Sequence, residues 1–183
     1  MSELVYYVAV SLDGFIAAPD GRYDAFPIEL DHGEFTETLP GPALSILGIE
    51  PSNNRFGSVI MGWNTYLPAL DAGIDSPYPH LRQFVATRQE RNVPPEITLT
   101  SDPVRTVRDL KAEGELDIYL SGGGELAGAL IDEIDRLVVK RNSIAFGDGI
   151  PLFGNGPYRP VHFDLESARQ LESGVTVQQY VKR

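Results

Sequence analysis

Apolar residues in this chain fall in short runs, and turns bearing glycine or proline separate them. The first run, Leu4–Val10, reads Leu-Val-Tyr-Tyr-Val-Ala-Val without a polar interruption, which predicts a strand covered on both faces. Ser11-Leu12-Asp13-Gly14 breaks it, and Phe15-Ile16-Ala17 resumes the apolar character before a Pro19-Asp20-Gly21 turn. Similar runs predict strands at 58–61, 83–87, 97–99, 116–120 and 136–143. The spacing predicts a short helix over 32–39, capped by Asp31 and ended by Pro40-Gly41-Pro42. A second helix is expected over 63–70, its length limited by Pro68. A third starts at Asp102-Pro103, with proline in its first position, and runs to about 113. A fourth covers 125–132, where Leu126, Leu130 and Ile134 lie four apart and give one apolar face. After a loop rich in glycine and proline, 161–171 and 175–181 flank a Glu172-Ser173-Gly174 turn. Their partial alternation predicts an antiparallel hairpin at a sheet edge.

Strands alternating with helices define an α/β chain, with a mostly parallel central sheet covered on both faces and an antiparallel C-terminal hairpin. No repeat or linker divides it, so residues 1–183 are expected to form one domain.

Composition narrows the chemistry. There is no cysteine, which removes disulfides, thiolate nucleophiles and cysteine-built metal sites together. His32, His80 and His162 lie far apart, so no metal is expected. The net charge of −11 argues against a broad nucleic-acid or anionic-membrane surface. No stretch approaches the roughly 20 apolar residues that span a bilayer. The expected setting is the cytoplasm and the expected partner a small molecule.

The sharpest local motif is Ser121-Gly122-Gly123-Gly124-Glu125-Leu126-Ala127, between a predicted strand and a predicted helix. Helix N-termini carry free N–H groups and a favourable dipole for phosphate, and glycines let a ligand approach the backbone. A tight turn is the plainer use of the same glycines. The stretch also fits G-x-G-x-x-A, but it comes too late in the chain to open a Rossmann domain. Gly62-Trp63-Asn64-Thr65 repeats the strand-to-helix junction, with a hydroxyl at Thr65. Thr87 and Arg88 add a hydroxyl and a fixed cation at the end of a predicted strand, a donor set suited to a ribose 2′-phosphate. Asp13 has two readings, a group that orients substrate or delivers a proton, and a turn cap. Asp24, Glu29, Asp31, His32, Glu34 and Glu37 are further candidate acids, most of which are expected to be solvated.

With these segments in view, the chain resembles the dihydrofolate reductase superfamily, and within it the C-terminal reductase domain of bifunctional riboflavin-biosynthesis proteins. The matching stretches are Val8-Ala9-Val10-Ser11-Leu12-Asp13-Gly14-Phe15-Ile16-Ala17, Val59-Ile60-Met61-Gly62-Trp63-Asn64-Thr65-Tyr66 and Ser121-Gly122-Gly123-Gly124-Glu125-Leu126, followed by Gly147-Asp148-Gly149-Ile150-Pro151-Leu152-Phe153 and Ser173-Gly174-Val175. The resemblance implies a three-layer fold with a sheet of about eight strands, NADPH as hydride donor, and a homodimer. It implies that Ala9 and Ile16 contact the nicotinamide end, that Gly62, Trp63 and Thr65 meet phosphate or ribose, and that Thr87 and Arg88 meet the adenosine side. Gly122, Gly123, Gly124, Glu125 and Leu126 would meet the diphosphate. The implied activity is reduction of a small heterocycle, such as 5-amino-6-(5-phosphoribosylamino)uracil or a pterin. A non-catalytic nucleotide-binding module on the same fold is the alternative. One departure stands out: Trp63 occupies the position where the family usually has arginine or lysine, which shifts the burden of 2′-phosphate recognition to Arg88.

Overall fold

The computed structural model describes residues 2–27, 33–51, 54–114 and 116–183. In chain order the elements are β1 (Leu4–Val10), β2 (Phe15–Ala17), a 3-10 helix (Gly33–Thr38), α1 (Gly41–Leu47), β3 (Phe56–Gly62), α2 (Trp63–Asp71) and β4 (Arg82–Ala86). There follow β5 (Ile97–Thr100), α3 (Pro103–Glu113), β6 (Asp117–Gly122), α4 (Gly124–Ala129), β7 (Arg136–Arg141), β8 (Ile150–Pro151), β9 (Phe163–Gln170) and β10 (Thr176–Lys182).

Eight strands form one sheet in the order β5-β4-β3-β6-β1-β7-β10-β9. The first six are parallel, and β10 runs antiparallel to both β7 and β9. β2 and β8 pair separately as a small antiparallel ribbon. The continuous apolar run of β1 is used on both faces, as a central parallel strand requires. Val5 and Tyr7 join one core with Val59, Met61, Tyr119 and Val138, packed under Tyr66 of α2 and Phe35. Leu4 and Tyr6 join the opposite core with Ile60, Ile118, Leu120 and Val139, under Val107 and Leu110 of α3, Leu126 of α4 and Leu130 just after it. Strict alternation of side chains along each strand thus builds the three layers.

Local signals mostly act as their chemistry dictates. Asp102 caps α3 by accepting from the Arg105 amide at 3.0 Å, a bond typically worth about 1 kcal/mol. Pro68 lies inside α2 without ending it, and the helix closes three residues later. One expectation is corrected. Pro40-Gly41-Pro42 does not only stop the preceding helix, because Gly41 and Pro42 open α1. A proline in the first turn loses no hydrogen bond, and the Gly41 amide is held by Pro77 O at 2.7 Å. The helix expected over 32–39 is the 3-10 helix from Gly33, and its proposed cap Asp31 lies outside the described residues. The run expected to begin at Leu116 becomes β6 only from Asp117, with Leu116 37% exposed. No helix among the described residues is long and apolar enough to cross a membrane.

Candidate functional site

β3 and β6 are neighbours and run parallel, so both deliver their carboxyl ends to the same edge of the sheet. Each turns straight into a helix through a glycine. Gly62 is the N-cap of α2 and Gly123 the N-cap of α4, and neither helix start has a side-chain cap. The two starts touch: a Cβ built on Gly62 would lie 3.9 Å from the Gly123 amide nitrogen, and one on Gly123 would lie 3.5 Å from Thr65 Oγ1. Two helix starts without side-chain caps therefore lie side by side, and helix N-termini of this kind favour an anion.

Beside them the sheet splits. β1 pairs with β6 only from Leu4 to Tyr6, whereas its pairing with β7 continues to Val10. β6 meanwhile swings toward β3, where the register skips from Ile60 opposite Leu120 to Met61 opposite Gly122 and bulges out Ser121. No residue of β6 pairs with Tyr7, Val8, Ala9 or Val10. The slot between β1 and β6 is thus edged by peptide groups lacking a strand partner on that side. Ligands in open parallel sheets lie at such carboxyl-end crevices.

The three glycines of the motif divide their work. Gly122 has φ +105°, and the Gly122–Gly123 peptide is cis. Gly124 serves protein packing, since a Cβ there would fall 2.2 Å from Pro151 O. Gly123, the N-cap, has only Thr65 Oγ1 within 4 Å of a built Cβ, and Gly122 has nothing within that distance. The other two motif residues offer only their backbones. Leu126 is buried in the core, and the Glu125 carboxylate turns away to accept from the Asn155 amide.

One strand further out, Ala86 at the end of β4 stands opposite Gly62. Thr87 and the exposed Arg88 follow it, and Thr87 Oγ1 accepts from the Gln89 amide at 3.1 Å. Trp63 packs edge-on against Tyr66, and the Arg91 guanidinium lies over its indole, 4.7 Å from the ring centroid. Nothing in the sequence marks Arg91 as a neighbour of Trp63, 28 positions earlier. At the other end of the slot, half-buried Ala9 ends the free side of β1, and Ile16 of β2 packs partly against the core.

This edge of the sheet can be compared with known proteins. Residues 3–177 match the RibD C-terminal domain. The chain belongs to that family. The uncharacterized protein YwjB of Bacillus subtilis (strain 168) is 31% identical over 161 residues, 82% of each chain. A crystal structure described as a putative riboflavin biosynthesis protein from Shewanella sp. PV-4 is 26% identical and superposes with a TM-score of 0.76, over 100% of this chain and 99% of that one. The Thermotoga maritima diaminohydroxyphosphoribosylaminopyrimidine deaminase/5-amino-6-(5-phosphoribosylamino)uracil reductase shares the fold, with a TM-score of 0.68 at 16% identity. It is matched over 100% of this chain and 57% of its own.

Within this RibD C-terminal domain, Asp13 has the contacts of a turn cap. Its carboxylate accepts from Ser11 Oγ at 2.6 Å, from the Phe146 amide at 3.1 Å and from the Gly147 amide at 2.7 Å. These bonds favour the charged form and hold its pKa down at about 2, the Ser11 hydroxyl contributing most. At neutral pH Asp13 has no proton to give. Among the other candidate acids, Asp24 is exposed. Glu29, Asp31, His32 and the Glu34 side chain lie outside the described residues.

Glu37 is an exception to the solvation expected of most of these acids. It is 2% exposed, and its carboxylate accepts from the Asn54 and Phe56 amides at 2.7 Å each. It pins the entry to β3. Near the slot, the Tyr78 hydroxyl and Ser121 Oγ lie 3.1 Å apart, and burial pushes the Tyr78 hydroxyl above its ordinary range. A cavity of about 350 Å³ lies elsewhere, bordered by Phe35, Ser167, Arg169, Val177 and Gln179. It shares no residue with the glycine edge, although Phe35 stacks on Tyr7 of β1 at 4.9 Å. Among the described residues, no group of three histidines, aspartates or glutamates is arranged to hold a metal.

Proposed function

We propose that this protein is an NADPH-dependent reductase of a small heterocycle, with a ribosylaminopyrimidine as the first candidate substrate and a pterin as the second. The observation that carries the reading is the β1–β6 split flanked by two touching helix starts capped only by Gly62 and Gly123. The residues present fit a dinucleotide. Unpaired peptide edges suit a planar amide-bearing ring, the paired helix starts suit a diphosphate, and the end of β4 lies one strand further along for the adenosine.

When bound, the dihydronicotinamide supplies a hydride to a conjugated C=N or C=O carbon of the acceptor. The chain's own part is to bind and orient. Ala9 and Ile16 line the nicotinamide end. Gly123 keeps the approach to the α4 amides open, and the Thr65 hydroxyl stands beside it ready to donate. Thr87 and Arg88 face the adenosine side. Asp13 is engaged with the 146–147 loop, so its role is to position that loop and not to move a proton. Membership of the RibD C-terminal domain family and the likeness to a protein described as a riboflavin biosynthesis protein support a substrate of that chemical class.

The test is calorimetric titration of the protein with NADPH, followed by turnover assays on a panel of ribosylaminopyrimidine phosphates, pterins and flavins. Binding in the micromolar range and oxidation of NADPH with one of these acceptors are expected. Absence of binding at millimolar NADPH overturns the reading, and binding without turnover across the panel favours a nucleotide-binding module.

A further inference from the structure

In a chain of net charge −11, cations tend to find carboxylates. Arg55, Arg82, Arg108 and Arg136 each reach one. Arg88 and Arg91 differ. Both are exposed on the loop after β4, and neither forms an ion pair with a described carboxylate, Glu90 between them included.

Arg91 is nevertheless held in place. Its guanidinium lies on the Trp63 indole and donates through Nη2 to the Gln89 side-chain oxygen. Trp63 is in turn fixed against Tyr66 and packed on the core. A guanidinium has five N–H donors, so one held over a ring and bonded to a single acceptor keeps others to offer a ligand. Trp63 itself brings no charge to the position after Gly62. It is the platform that carries one there.

The order of the strands says what this cation would meet. β4 is the next strand beyond β3, about 4.8 Å away. A dinucleotide with its ring in the β1–β6 split and its diphosphate between the ends of β6 and β3 would have its adenosine ribose toward the end of β4. There the loop offers Arg88 and, three residues on, Arg91 over the Trp63 ring. We propose that Arg91, mounted on Trp63, acts with Arg88 to receive the 2′-phosphate of NADPH and so sets preference for NADPH over NADH. A phosphate monoester dianion is matched by two cations with forked donors. This inference rests on the reductase reading above.

The experiment compares calorimetric Kd values of the full chain for NADP+, NAD+, 2′,5′-ADP and ADP. Wild type is expected to prefer both 2′-phosphorylated ligands. Arg91→Ala should weaken NADP+ and 2′,5′-ADP by about tenfold or more, as loss of a charge-assisted bond predicts, and leave NAD+ and ADP within about twofold. Trp63→Leu, which keeps Arg91 and removes its platform, should lose part of the same preference, and Trp63→Phe should retain most of it. Arg105→Ala, which removes one positive charge from α3, should leave the ratio unchanged. If wild type binds both dinucleotides and Arg91→Ala alters neither, or weakens both alike, the assignment of Arg91 falls and the reductase reading stands. If wild type binds neither dinucleotide, both fall together.

Discussion

Gly123 and Thr65 face each other across the two helix starts, and a Cβ on Gly123 would meet nothing within 4 Å except Thr65 Oγ1, at 3.5 Å. That gap sits between the starts of α2 and α4, neither of which has a side-chain cap. Gly123→Asp fills it with a carboxylate. Aspartate is among the preferred N-cap residues, so the thermal midpoint should hold or rise. The same negative charge opposes a diphosphate, and Kd for NADPH should rise by about tenfold or more. Calorimetry and a melting curve on one sample check both halves. Unchanged affinity would show that the anion does not bind at this gap. Gly124→Ala is the contrast, because its methyl group would fall 2.2 Å from Pro151 O. It should destabilise the fold by about 1–3 kcal/mol.

Asp13 makes stability depend on pH at the acid end. Its folded pKa is about 2, against an ordinary value of 3.8. A lowered pKa stabilises the fold above the ordinary value, and that contribution disappears as pH falls through the folded one. The wild-type advantage over Asp13→Ala should therefore be constant above about pH 4 and shrink between about pH 4 and pH 2. Urea midpoints of the two proteins across that range test it, and a gap that widens on acidification refutes the assignment. The pH–rate profile at neutral pH should show no limb that Asp13→Ala removes.

Glu37 predicts a stability effect with no change in cofactor affinity. Glu37→Gln turns one acceptor into a donor, opposite the backbone N–H groups of Asn54 and the buried Phe56. The loss should be about 1–3 kcal/mol, read as a thermal midpoint several degrees lower. A midpoint equal to wild type would mean that the carboxylate is not what holds the entry to β3.

The architecture was largely legible because its signals are local. The unbroken run of β1, the Asp102-Pro103 start of α3 and the hairpin around Glu172-Ser173-Gly174 each follow from residues in direct sequence contact. The two glycine junctions were legible for the same reason. Other features depend on distant partners. Pro40-Gly41-Pro42 reads equally as a stop and a start, and what holds Gly41 in α1 is a carbonyl at Pro77. The split between β1 and β6 begins beside a register skip at Ser121 that no single residue announces. Nothing near Glu37 says that it will be buried under Asn54 and Phe56, and nothing near Trp63 says that an arginine will lie on it. A negative charge reads as solvated until the amides that receive it are known.

The loop after β7 ties together parts of the sheet edge that lie far apart in sequence. Its first part is clasped by Asp13 at Phe146 and Gly147, its middle pairs with β2 at Phe15 and Ala17, and its last part lies against the α4 backbone at Gly124 and Gly128. One piece of chain thus splints the turn leaving β1 to the helix that begins at Gly123. A shift at either attachment must drag the other or break the clasp, so the turn after β1 and the start of α4 are mechanically a single part.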